Sequence, residues 1–327
     1  MKSKALILIL VCTMLLSACN EADVSFSLDT YGETFSTENA VFCVGSNEIS
    51  AYDLKDEKIC TAENTLSEPA WDTAGCYAVI YGETGMFLCD GKEIRHNTSN
   101  NKIMSTAINV NGYVAVCTEE AGYKGSVTVY DENFSPLYKW YCASGFIIKA
   151  ALSEKNILAV LTANEKGSTV HVFNLGSEKE QYSVFIEKTL AIDCGWLEEN
   201  LCIISESAAY FADEDIITET VDFDRTLGEY VLSDGFVLFE MLNGDGTGEI
   251  ISYNKNGSEN GSAECEILRN AVAEDDRIAV ICGGEAVLYD GDLKEICRRD
   301  AKGIRNVMLC GGELLLLHDS EIMIINE

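Results

Sequence analysis

The sequence predicts an all-β chain, one domain assembled from about eight copies of a four-stranded antiparallel unit. Three observations carry this. An apolar, strand-like run that ends in Asp or Asn recurs every 36 to 43 residues, at Asp53, Asp90, Asp131, Asn174, Asp213, Asn254, Asp290 and Asn326. Upstream of that residue, most units hold two short runs around a tight-turn signal. The last unit is one strand short, and a spare strand-like segment stands near the N-terminus.

Taken in order, the chain opens with Lys2 and Lys4, an apolar stretch from Ala5 to Leu16, and then Leu16, Ser17, Ala18 and Cys19. A positive n-region, an apolar h-region and small residues are the parts of a secretory leader. The tetrapeptide resembles the lipobox of bacterial lipoproteins, which implies that residues 1–18 are removed and that Cys19 is acylated. The apolar stretch falls short of the ~20 residues that span a hydrocarbon core. Residues 19–23 then form a lipidated end and short tether, and 24–327 form the single domain.

The paired runs stand at 106–117 around Asn111 and Gly112, and at 148–161 around Glu154, Lys155 and Asn156. They recur at 193–204 around Glu199 and Asn200, at 230–239 around Asp234 and Gly235, and at 270–281 around Asp275 and Asp276. Asn-Gly and Asp-Gly suit two-residue hairpins, whose central residues take positive φ. Wholly apolar runs such as Leu314 to Leu317 read as strands covered on both faces. Four-stranded units of ~40 residues point to a β-propeller, in which radial stacking buries sheet faces that no single blade could bury. Seven units are complete, and the last supplies only 306–309, 313–317 and 321–325. Residues 24–29 would complete it as its outer strand and cover a sheet edge. Eight blades result, with seven as the alternative because the Asp213 anchor is weak.

The stretch 129–141, followed by 145–152, resembles the central part of a propeller family from Gram-positive anaerobes, a domain of unknown function numbered 5711. The similarity runs from about Ser46 to the C-terminus. The resemblance implies the propeller and brings no catalytic residues with it. Members are usually held by an N-terminal membrane helix, and this chain departs from that with its lipobox. More loosely, the blades resemble quinoprotein-like and WD-type repeats. Three tryptophans, Trp71, Trp140 and Trp196, are too few for one per blade, and the Gly-His and Trp-Asp dipeptides do not recur from unit to unit.

Composition narrows function by exclusion. The 327 residues carry 54 acidic against 23 basic side chains, a net charge of -31, and such a polyanion repels phosphate backbones. Nucleic acid is therefore not the expected partner. Cys43, Cys117, Cys202 and Cys282 stand in second-strand runs among Val, Ile and Leu, where a thiol acts as a small apolar filler. Spread over different blades, most thiols are expected reduced and buried, with a bridge between adjacent blades as the alternative. There is no Cys-x-x-Cys, nucleophile elbow, phosphate loop or His-Glu-x-x-His.

His96, His171 and His318 are far apart in sequence; His171 reads as a strand-face residue and His318, before Asp319, as the end of a strand. Two acidic clusters, Asn243 to Glu249 and Asp213 to Asp215, read as solvated turns rather than calcium loops. No catalytic, cofactor or metal residue is assigned, and the one site residue is Cys19, for lipidation. The expected function is an extracytoplasmic, lipid-anchored binding or scaffold module, monomeric, for a protein or glycan of the cell envelope. The alternative is a propeller hydrolase or lyase acting on polysaccharide or peptide. Carboxylates with raised pKa at the channel mouth would favour that enzyme, and a channel of Ala, Val and Ser would favour the module.

Overall fold

In six units, at Asp53, Asp90, Asp131, Asn174, Asn254 and Asp290, the third strand stops where that side chain turns back to bind the chain that follows it. Asp53 Oδ1 accepts the N–H groups of Lys55 and Glu57 at 2.8 and 2.9 Å. Asp131 Oδ1 does the same for Asn133 and Ser135, and Asp290 Oδ1 for Asp292 and Lys294. Asn254 repeats the pattern with Asn256 and Ser258. These are Asx turns, and they fix where the third strand ends and the fourth begins. The repeat legible in the sequence is thus a repeat of turn chemistry.

The structure is a computed structural model that describes residues 24–29, 31–177, 179–266 and 268–325. The leader, Cys19 and the tether lie outside the described residues. Among those described, 32 strands form eight four-stranded antiparallel sheets arranged as a ring of eight blades, with no helix. Eight is the count, and seven is excluded. The first strands stand innermost, bordering a central channel. In blades 1 to 8 they are Gly32–Thr37, Ala70–Ala74, Ile103–Ile108, Phe146–Leu152, Ala191–Leu197, Thr226–Leu232, Leu268–Glu274 and Ile304–Cys310.

Antiparallel order within each blade gives the ring two distinct ends. The hairpins joining first to second strands lie at one end of the channel, here called the hairpin face. The loops from second to third strands, and the crossings from each fourth strand into the next blade, lie at the other, the crossing face. The turns differ in detail from expectation. The blade 5 hairpin has Leu197 opposite Asn200, so its loop is Glu198 and Glu199, one residue earlier than the sequence suggests. Glu198 takes φ 54° there, a left-handed conformation.

Val24–Ser27 pairs with Glu321–Ile325 as the outer strand of blade 8, Val24 opposite Ile324 and Ser27 opposite Glu321. Phe26 and Leu28, 5% and 7% exposed, pack with Val41, Met308, Leu317 and Ile322 across the boundary of blades 8 and 1. The two ends of the chain therefore share one sheet, which closes the ring. The register also places Val24, the start of this strand, at the hairpin face.

The core lies in the second and third strands, which neighbouring blades cover on both sides. Ala40–Gly45 and Val114–Thr118 are buried throughout, as are Leu314, Leu315, Leu316 and Leu317. Fourth strands such as Lys58–Glu63 alternate between exposed and half-buried residues, as an edge facing water must. Cys43, Cys117 and Cys202 are buried fillers as expected. Cys282 is not. It ends the strand Arg277–Cys282 at the crossing face, where the sheet runs out and the thiol is half-exposed.

Candidate functional site

Polar contacts, most of them from the innermost strands and the turns that follow them, cross the blade boundaries. Glu38 N donates to Gly75 O between blades 1 and 2, and Asp72 Oδ2 accepts Ile108 N at 3.0 Å between blades 2 and 3. Asn109 Nδ2 donates to Ser153 O, joining blades 3 and 4. Lys149 Nζ lies 2.9 Å from Asp193 Oδ2, and Tyr230 Oη donates to the same oxygen at 3.0 Å, carrying the series through blades 4, 5 and 6. Glu240 Oε1 accepts Leu268 N at 2.7 Å, Glu274 Oε2 accepts Gly312 N at 2.6 Å, and Asn306 Nδ2 donates to Thr34 O at 2.8 Å. Every boundary in the ring thus carries a polar stitch near the axis.

The Asp193 group is the most charged of these. Its carboxylate, 7% exposed, accepts three donors: Lys149, Tyr230 and, at Oδ1, the Cys194 N–H. Burial alone would lower the Lys149 ammonium, but the charge and hydrogen bond of Asp193, with Asp72 behind them, hold it above its ordinary value. Burial pushes the Asp72 carboxyl up, against the pull of Lys149 and of the Ile108 and Thr73 N–H groups. Burial, then the Asp193 charge, raises the Tyr230 phenol.

Toward the hairpin face the channel widens into a cavity of about 410 Å³ bordered by blades 1, 2, 6, 7 and 8. Asn270 and Asn306 present side-chain oxygens there without a protein partner. Its rim is acidic. Asp234 is exposed, but partial desolvation at the channel mouth raises its carboxyl, and the like charges of Glu154, Asp275 and Glu38 add to the effect. Burial raises Glu274 too, although the Gly311 and Gly312 N–H groups oppose it. By the criterion set from sequence, these raised carboxylates favour the enzyme alternative. Their bonding qualifies that, because Asp72 and Glu274 are each committed to backbone N–H groups of the next blade.

A different surface occupies the crossing face at blades 3 and 4. Tyr123, in the second loop of blade 3, and Tyr141, near the end of Pro136–Cys142, stack at 4.7 Å with planes tilted 35°. Both are exposed, as are Phe146 and Met104 at the starts of adjacent first strands. Lys124 Nζ sits 5.1 Å above the Phe146 ring and Lys139 Nζ 4.7 Å above the Tyr141 ring. Lys139 also pairs with Glu120 at 2.8 Å, and that bond holds the Glu120 carboxyl below and the ammonium above their ordinary values. A cleft of about 530 Å³ adjoins, with Asn100, Asn101 and Lys102 on its wall. The aromatic rings, with Lys102, Lys124 and Lys139 around them and Glu119 and Glu120 on the same cleft, form an apolar platform edged by charges of both signs.

The residues singled out from sequence are dispersed. His96 stacks on Phe87 in blade 2, and His171 packs on Trp140 with Thr162 Oγ1 3.2 Å from its Nε2. His318 Nδ1 lies 3.7 Å from Asp319 at the end of its strand. In the cluster from Asn243 to Glu249, Asp245 Oδ1 accepts both the N–H and the hydroxyl of Thr247, and Asn243 N donates to Thr247 O, closing a hairpin. Asp213 opposite Ile216 closes another. None of these residues meets another of the set. The sequence reading missed Asp72, Lys149, Asp193 and the Tyr123 platform. One signal was available for the first, since Trp71 and Asp72 form a Trp-Asp pair on an inner strand.

Fold and site together define an eight-bladed β-propeller whose channel is cross-linked by polar contacts and whose crossing face carries an aromatic platform. The chain belongs to a family of unknown function, DUF5711, whose model matches residues 20–326, a longer reach than the stretch from Ser46 that carries the resemblance. No curated protein matches it in sequence. It is similar in fold to the computationally designed Ika8 protein, at 13% identity and TM-score 0.67 over 92% of this chain and 98% of that one. The C-terminal WD40 domain of Sif2 gives 9% identity and TM-score 0.64, over 93% and 99%. Apo AztD from Citrobacter koseri gives 11% and 0.56, over 83% and 86%.

Proposed function

We propose that this chain is a lipid-anchored binding module on the outer face of the cell membrane, holding a glycan of the envelope on the platform of blades 3 and 4. The observation that carries this is the exposed Tyr123 and Tyr141 pair with Phe146 beside it, set on a ring stitched at every blade boundary. Exposed rings of this kind offer flat apolar faces to the C–H surfaces of a pyranose at little entropy cost, since a ring has only two torsions to fix. Asn100 and Asn101 bring amides for sugar hydroxyls, and Lys102 and Lys124 bring charge for carboxylate or phosphate substituents.

The anchor rests on Lys2, Lys4 and the sequence from Leu16 to Cys19. Four residues, Asn20 to Asp23, separate Cys19 from the closing strand, a reach of roughly 15 Å. That strand begins at the hairpin face and the platform lies on the crossing face, at opposite ends of the ring. Glu38, Asp234 and Asp275 stand at the same end of the ring as the start of that strand.

In cells, Cys19→Ala should lose the membrane fraction, while Tyr141→Ala with Phe146→Ala should stay in the membrane and lose retention on the wall polymer. Membrane retention of Cys19→Ala after alkaline washing would refute the anchor, and unchanged wall retention of the double variant would refute the platform. The enzyme reading keeps one specific support, the raised Asp234 carboxyl at the cavity mouth, and predicts hydrolysis or elimination products from the same polymer that disappear in Asp234→Asn.

A further inference from the structure

Among the described thiols, most are sealed in the core. Cys43 and Cys117 are 0% exposed, and burial pushes each up to about 11. Cys89, Cys194 and Cys202 are raised further by the same cause. Such groups hardly ionise and are closed to reagents.

Two thiols at the boundary of blades 6 and 7 are different. Cys265 lies in the outer strand Glu259–Glu266 of blade 6, opposite Gly248, just before the chain crosses into blade 7. Cys282 ends the second strand of blade 7, opposite Leu268, so the crossing brings the two together. Cys282 Sγ donates to Glu266 O at 3.1 Å, next to Cys265, and the two thiols lie within hydrogen-bond reach of each other. Both are half-exposed, and a cleft of about 540 Å³ on the crossing face opens beside Cys265, with Arg225 on its wall.

We infer that Cys265 and Cys282 are a redox-active dithiol that reacts with a low-molecular-weight disulfide and closes into a covalent strap between blades 6 and 7. One thiol of the pair gives its proton to solvent, and its thiolate attacks one sulfur of the external disulfide, forming a mixed disulfide and expelling one thiolate. The other thiol then gives its proton to solvent and attacks the protein sulfur of that mixed disulfide, expelling the second thiolate. Two protein thiols are oxidised, one disulfide bond is reduced, and the two released thiolates take up the two protons.

The closed loop spans about 17 residues, a length at which a cross-link restricts the unfolded chain appreciably. Bridging asks only that the sulfurs move from hydrogen-bond reach to a ~2.05 Å bond. The inference stands apart from the glycan reading, since neither thiol belongs to the platform.

The test treats the full chain with oxidised glutathione, quenches it with acid, alkylates it and maps the peptides. The expected product is one linked pair, Cys265 to Cys282, with the melting temperature raised by roughly 5 °C. Cys265→Ser should trap one glutathione on Cys282, and Cys282→Ser one on Cys265. Recovery of both residues as free thiols, or as two stable glutathione adducts, would overturn the strap.

Discussion

Replacing Asp193 with Ala removes the acceptor shared by Lys149, Tyr230 and the Cys194 N–H, three donors from three successive blades. Leaving a buried donor without an acceptor costs about 1–3 kcal/mol. Tyr230 and the Cys194 N–H are both in that position. The ammonium adds less, because 39% of the Lys149 side chain still meets channel solvent, and an ion pair so screened is worth about 1 kcal/mol or less. Asp193→Ala should therefore cost about 3 kcal/mol and Lys149→Met about 1 kcal/mol, in urea unfolding followed by far-UV circular dichroism. The order is diagnostic, since Lys149→Met leaves Asp193 its other two donors.

The pH dependence has a definite sign. The folded Lys149 ammonium is held above the unfolded value near 10.4, so the pair's contribution is complete below that pH and is lost as pH rises through the folded value. Above neutral pH, the gap between wild type and Lys149→Met should narrow in the alkaline range, as the ammonium loses its proton. A loss under 0.5 kcal/mol for Asp193→Ala, or a larger loss for Lys149→Met, would refute the reasoning.

Other outcomes follow from the same contacts. Asp72 is raised by burial, so the folded state holds its proton more tightly and stability falls as pH climbs through the folded value; Asp72→Asn keeps an acceptor for Ile108 N and should leave Tm at pH 7 unchanged or higher. Glu240, 2% exposed, accepts the Leu268 and Glu229 N–H groups, so Glu240→Ala should cost about 3 kcal/mol by urea titration and Glu240→Gln clearly less. Phe26→Ala opens the closing cluster and should cost about 3–4 kcal/mol, with protection of the Glu321–Ile325 amides in hydrogen exchange lost first. Asp131→Ala removes one Asx turn and should cost only about 1 kcal/mol.

The ring was legible in the sequence because its punctuation is local. An Asx turn at Asp53, Asp90 or Asp131 is written in four or five consecutive residues, and so is a hairpin such as Asp275 and Asp276. Closure by residues 24–29 was legible by subtraction, one strand missing at one end and one spare at the other. The channel was not legible, because Asp72, Lys149, Asp193 and Tyr230 come from four blades and only the ring's curvature joins them. Each looks like an isolated polar residue on a strand. The platform was hidden for the same reason, since Tyr123 and Tyr141 sit in a loop and an edge strand that touch only once blade 3 has folded. Cys282 was misread as filler because sequence shows the apolar run but not that the sheet stops there.

The most direct measurement on the proposed function is a calorimetric titration of acidic wall-glycan fragments into the purified protein at two salt concentrations. Wild type should bind, with modest weakening at high salt from the Lys102 and Lys124 charges. Tyr141→Ala should weaken binding about tenfold, the equivalent of ~1.4 kcal/mol of lost ring contact, with unchanged circular dichroism. Equal affinity for wild type and the Tyr141→Ala, Phe146→Ala double variant would contradict a glycan site on the crossing face.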